Sequence, residues 1–159
     1  MRVVTNASPL IVLCKGGFAD LFPQVCTEVW VPEAVWREVA LGGKDDLAAQ
    51  TLLTVNWAKR TEVTGDDPVI RAWNLGAGET AVLNLALALP GCRALIDDGA
   101  ARACAKTLGI PFIGAGGILV LAKRRGFISS FDDALREVME AGLWLSSDAI
   151  TLLKMQAGE

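Results

Sequence analysis

Histidine is absent from the 159 residues, and its absence removes more chemistry than any other gap in the composition. Without an imidazole there is no His general acid or base, no Ser-His-Asp triad and no Cys-His nucleophile pair. The four cysteines (Cys14, Cys26, Cys92 and Cys104) are scattered and form no CxxC pair. A structural zinc site wants closely spaced Cys and His ligands, so that class is excluded as well. The cysteines read as small core residues in a reducing compartment. An enzyme built from this chain must work with carboxylates, hydroxyls, Lys or Arg.

Long apolar runs are missing too. The longest stretch without charged or polar side chains, Leu108 to Ala122, is broken by Pro111, Gly114, Gly116 and Gly117. It falls short of the roughly 20 residues of a bilayer span. Met1-Arg2-Val3-Val4 lacks the apolar segment and cleavage site of a signal peptide, so a cytoplasmic location with no membrane contact is expected. Nor is there a dominant charge: the net value of -3 gives no blanket attraction to nucleic acid, although local patches stay open. No repeat, low-complexity tract or linker divides the chain, and its length suits one domain over residues 1–159.

What the chain has is apolar bulk, 52% of residues with a mean hydropathy of +0.40. For a soluble protein of this size that surplus points to an interface with another subunit or partner. Strand and helix signals alternate. Arg2–Thr5 is β-branched and reads as a buried strand; Ser8 and Pro9 then read as cap and first residue of a helix ending at Gly16-Gly17. A helical turn over 18–22 and a strand over Cys26–Val31 follow, and Pro32 opens a helix to Ala40. After a loop over 42–46, Asp45 or Asp46 opens a helix to Leu53, residues 55–63 are extended, and Asp67-Pro68 starts another helix. Gly76-Ala77-Gly78-Glu79 leads into a helix to Leu89 that is apolar nearly all round and so buried on more than one side. Ala94-Leu95-Ile96 is a strand and runs into Asp97-Asp98 and a helix stopped by Gly109. Residues 110–113 form a short strand, and helices follow over 118–125, from Ser130 to Ala141, and over 146–155. The alternation predicts an α/β fold: a parallel sheet with helices on both faces.

In such folds ligands lie outside the carboxyl ends of the strands. Asn6 and Asp97-Asp98 stand at two of those ends. The helix opened by Glu79 starts at the same edge, and Glu38, in the helix after the second strand, can join them. Two adjacent carboxylates at the lip of an apolar core repel unless a cation sits between them, and hard divalent ions prefer such oxygens. Each acid also has a purely structural reading. Asp98 can cap its helix, Glu79 can complement a helix dipole, and Glu38 can pair with a neighbouring helix. Lys123-Arg124-Arg125, in a last helical turn, offers dipole compensation or contact with RNA phosphates.

In order and spacing these residues resemble the PIN domain, an RNase H-like nuclease fold found in VapC-like toxins of toxin–antitoxin pairs. Val3-Val4-Thr5-Asn6-Ala7-Ser8 stands where the family's first strand ends in an acid. Val31-Pro32-Glu33-Ala34-Val35-Trp36-Arg37-Glu38 matches its Val-Pro helix start with a later Glu. Gly76-Ala77-Gly78-Glu79 matches the turn with an acid that opens the central helix, and Asp97-Asp98 the last acid. Asn6-Ala7-Ser8-Pro9-Leu10, Leu75-Gly76-Ala77-Gly78-Glu79, Ile96-Asp97-Asp98 and Ala122-Lys123-Arg124-Arg125-Gly126 resemble a PIN-like branch that carries Asn at the first acidic position.

The resemblance implies a three-layer α/β/α fold with a central parallel sheet and an endoribonuclease using Mg²⁺ or Mn²⁺. Asn6, Glu38, Glu79 and Asp98 would be its catalytic metal ligands or holders of metal-bound water. Asp97 would assist at the metal and Ser8 would orient a ligand by hydrogen bonding. It also implies RNA as substrate, a small antitoxin as partner and a homodimer. Because Asn6 brings no charge, a second expectation stands beside the first: a weak or inactive module that binds a protein or RNA. A receiver-type phosphoacceptor fits poorly, since its paired acids follow the first strand.

Overall fold

The β-branched run Arg2–Thr5 becomes β1, the middle strand of a five-stranded sheet whose Val3 and Val4 are fully buried. The computed structural model describes residues 1–43 and 45–159; Lys44, inside the predicted 42–46 loop, lies outside the described residues. In chain order, β1 leads to α1 (Ala7–Lys15), α2 (Leu21–Val25), β2 (Glu28–Pro32), α3 (Glu33–Ala40), α4 (Leu47–Thr54) and β3 (Ala58–Thr61). Then come α5 (Pro68–Ala72), α6 (Ala77–Ala88), β4 (Cys92–Leu95), α7 (Gly99–Thr107), β5 (Phe112–Ile113), α8 (Ala115–Arg124), α9 (Phe131–Glu140) and α10 (Ser147–Ala157).

Every strand pairing is parallel and the order is β3-β2-β1-β4-β5. From β1 the chain moves outward to β2 and β3, then jumps back past β1 to β4. The reversal puts a topological switch point between β1 and β4, the usual ligand crevice of an open parallel sheet. Right-handed crossovers put the helices of the two halves on opposite faces, giving three layers. Helix α6 packs against β1, β2 and β4, so its apolar surface is buried on several sides, as expected. All four cysteines are buried and unbridged.

Several helix starts differ from expectation: the helical turn expected over 18–22 lies at Leu21–Val25, and α6 already begins at Ala77 within its Gly-rich turn. Helix α1 begins at Ala7 with Asn6 in the N-cap position, two residues before the predicted cap. Pro9 is the third helical residue, where its missing N–H costs nothing. Ser8 is exposed and makes no side-chain hydrogen bond among the described residues. Helix α8 begins at Ala115 rather than residue 118, because the Ala115 N–H is capped from a distant strand end by Asp97 Oδ1 at 3.0 Å. No described helix is long and apolar enough to cross a membrane.

Candidate metal centre

At the carboxyl edge β1 gives way to Asn6, whose backbone N–H donates to Leu95 O (3.0 Å) and so stays in register with β4. The side chain is only 3% exposed, yet it does not cap its own helix. Instead Asn6 Nδ2 donates to Glu79 Oε1 across 3.1 Å, joining the end of β1 to the first turn of α6. With the amide nitrogen so placed, Oδ1 turns the other way. That oxygen is buried and has no hydrogen-bond partner among the described residues. An orphaned buried acceptor costs on the order of 1–3 kcal/mol, so this oxygen calls for a partner such as a water or a cation.

What Oδ1 faces is a hollow over Gly78. A Cβ on Gly78 would stand 2.9 Å from Asn6 Oδ1 and 3.3 Å from Glu38 Oε2. The hollow exists because this residue of α6 has no side chain. Glu38, for which an ion pair with a neighbouring helix is the purely structural alternative, is exposed and forms no ion pair among the described residues. Three separate parts of the sequence therefore meet around Asn6, Glu79 at its amide nitrogen and Glu38 on the Gly78 side, where its oxygen lies.

The neighbouring acids are arranged differently. Asp98 is exposed, and its Oδ2 accepts from Ala101 N (2.8 Å), so it caps α7. Asp97 turns inward. Its Oδ1 takes the Ala115 N–H and lies 3.7 Å from Arg102 Nη2, while Oδ2 is buried and has no partner among the described residues. Burial pushes the Asp97 carboxyl above its ordinary pKa, partly offset by the Ala115 N–H and by Arg102. Arg102 is itself fixed, donating from Nε to Ile96 O (3.0 Å) and lying over the Phe112 ring. Beside them a cleft of about 320 Å³ opens between Asp97, Arg102, Gly114 and the α10 residues Ala149 and Leu153. Neither Asp97 nor Asp98 makes a hydrogen bond to Asn6, Glu38 or Glu79 among the described residues.

The basic run is not brought to this edge. Helix α8 returns antiparallel to the strands, so its last turn lies at the amino edge. There Arg125 Nη1 donates to Val25 O (3.0 Å), ahead of β2, and Lys123 pairs with Glu159 at 3.3 Å. Arg124 is exposed.

Among the described residues no three Asp, Glu, His or Cys groups gather closely enough to hold a metal ion by themselves. The third member of the convergent set is the Asn6 amide. One amide oxygen and two carboxylates, with an orphaned acceptor and a hollow that a Cβ would fill, fit a hard divalent ion such as Mg²⁺ or Mn²⁺. They do not suit zinc, which favours Cys and His.

Sequence reasoning missed Arg102, Gly78 and the Ala115 N–H. The Gly-x-Gly spacing marks a turn but not the hollow, and the contacts of Asp97 with Arg102 and α8 have no local signature. A family model described as a PIN domain matches residues 2–159. No curated protein and no solved structure matches the chain.

Proposed function

The chain belongs to the PIN domain family, and from that premise we propose a metal-dependent endoribonuclease that acts as the toxin of a toxin–antitoxin pair. The observation that carries the metal site is the unpaired, buried Asn6 Oδ1, turned by the Asn6–Glu79 hydrogen bond toward Gly78 and Glu38. Asn6 Oδ1, Glu79 and Glu38 hold Mg²⁺ or Mn²⁺ in this proposal, with Asp98 and Asp97 at the adjoining strand end. A bound divalent ion supplies Lewis acidity toward the phosphodiester and an activated water.

The chain's own residues do the rest. Glu79 fixes the amide rotamer and keeps one carboxylate oxygen beside it. Arg102 offers positive charge at the lip of the Asp97 cleft, where an RNA backbone would otherwise meet only carboxylates. With no histidine, proton transfer at this edge falls to carboxylates and water.

An antitoxin and a second copy of the chain are proposed to cover apolar surface. Leu41 (85% exposed), Trp144 (81%) and Met155 (72%) lie uncovered, as partner-facing side chains do.

Incubating a mixed RNA pool with Mn²⁺ and the wild type should give cleavage that EDTA abolishes and Glu79→Gln reduces by roughly 10- to 100-fold, the scale for disturbing the groups that hold a metal. Equal cleavage by both proteins would remove Glu79 from the site. A second reading, a PIN-like module that binds RNA or protein without cutting it, is favoured by Asn6 at the first position and by Asp98 being engaged as a helix cap. It predicts tight RNA binding with no cleavage by either protein.

A further inference from the structure

The structure assigns a role to a residue that carries no functional group: we propose that Gly78 is the positioning residue that keeps the metal hollow open, and that any side chain there displaces the ion. The inference rests on the metal-site reading above. Gly78 is the second residue of α6 and is buried. Alanine is the better helix former in such a place, so local propensity argues against glycine. Its backbone does not demand glycine either, because Gly78 is not among the residues with positive φ.

The reason lies in what a Cβ would meet. At 2.9 Å from Asn6 Oδ1 and 3.3 Å from Glu38 Oε2, with Val35 Cγ2 at 3.6 Å, a methyl group would fill the space between the two oxygens. Asn6 cannot readily swing away, since it is buried and tied to Glu79. A methyl and an ion liganded at roughly 2.1 Å cannot share that space. Gly78 thus gives up helix propensity and leaves the space beside the two oxygens free of a side chain.

The test is a thermal-unfolding series of the full chain with Mn²⁺ titrated from zero to millimolar, on wild type, Gly78→Ala and Gly65→Ala. Gly65 is the control, because its Cβ would make only ordinary contacts with Asn84 at 3.6 Å and beyond. Without metal, Gly78→Ala should melt within about 4 °C of wild type. Mn²⁺ should raise the melting temperature of wild type and Gly65→Ala, while Gly78→Ala responds only at concentrations at least roughly tenfold higher. An identical Mn²⁺ response in wild type and Gly78→Ala would overturn the role of Gly78 and leave the metal site standing. No response in wild type would overturn both.

A second measurement needs no variant. In wild type, substoichiometric Mn²⁺ should broaden the Gly78 backbone amide and the Asn6 side-chain amide resonances first, ahead of Arg125 at the opposite edge. Early broadening elsewhere, with Gly78 sharp, contradicts the proposal.

Discussion

Replacing the Asn6 amide with a carboxylate would set two like charges where a 3.1 Å hydrogen bond now joins Asn6 to Glu79. The two carboxylates would repel and neither would have a donor. Asn6→Asp is therefore expected to lose about 1–3 kcal/mol in metal-free urea unfolding at pH 7, and to recover most of it in millimolar Mn²⁺. Equal stability with and without metal would contradict the convergence of these groups on an ion. Asp98 separates in the same way into a cap and a charge. Asp98→Ala should cost about 1 kcal/mol of unfolding free energy through the lost cap, while Asp98→Asn keeps the cap and stays within about 0.5 kcal/mol of wild type. At this scale the sequence named Asn6, Glu38, Glu79 and the Asp97-Asp98 pair by type and spacing. It could not show that Asn6 spends its amide on Glu79, because that contact spans 73 positions. Ser8 was misread as a cap for a related reason: Ser-Pro is a sound local signal, but the register of β1 with β4 carries the helix start back to Ala7.

Among the elements, caps written in local residues were legible and caps supplied from afar were not. Asp46, Asp67, Ser130 and Ser146 each accept a hydrogen bond at the start of the helix they were expected to open. The N-terminus of α8 instead takes its cap from Asp97. The same helix depends on α10: a Cβ on Gly116 would fall 2.6 Å from Leu153 Cδ1. Gly116→Ala should force α10 outward and cost roughly 1–3 kcal/mol by overpacking, measured by chemical unfolding and seen as faster hydrogen exchange in α10.

The edge strand β3 is held by charge as well as by its ladder. Glu33 accepts from Arg60 at 2.6 Å through two nitrogens, which with Arg37 holds its carboxyl down to about 2. Glu28 is held at about 2 by Arg2 and Lys59. Both values lie below the ordinary Glu value of about 4.3. Their stabilisation is thus complete above that value and is lost as pH falls from about 4.3 toward 2. Asp97 acts with the opposite sign, since its raised pKa favours the protonated folded form as pH falls. Urea midpoints should fall between pH 5 and pH 2.5, and Glu33→Gln should fall less steeply over that range. An unchanged slope would show the Glu33 pair to be inert.

For the whole molecule, strand and helix alternation sufficed for a parallel α/β sheet, and the motif order sufficed for the PIN family, which the match over residues 2–159 bears out. Alternation alone does not contain the β3-β2-β1-β4-β5 order. That order follows from the long return from β3 to β4, and it is what seats Asn6 beside the first turn of α6. The basic run shows the converse. Its composition offers dipole compensation or phosphate contact, and topology carries it to the edge away from the acids, where Arg125 bonds Val25 O and Lys123 pairs with Glu159.

In the proposed site Asn6, Glu38 and Glu79 hold a divalent ion despite the missing first carboxylate. Calorimetric titration of Mn²⁺ into metal-free wild type and Glu79→Gln tests it most directly. Binding to the wild type should be saturable, and binding to Glu79→Gln at least roughly tenfold weaker. Absence of binding to the wild type at millimolar Mn²⁺, or equal binding to both proteins, would contradict it.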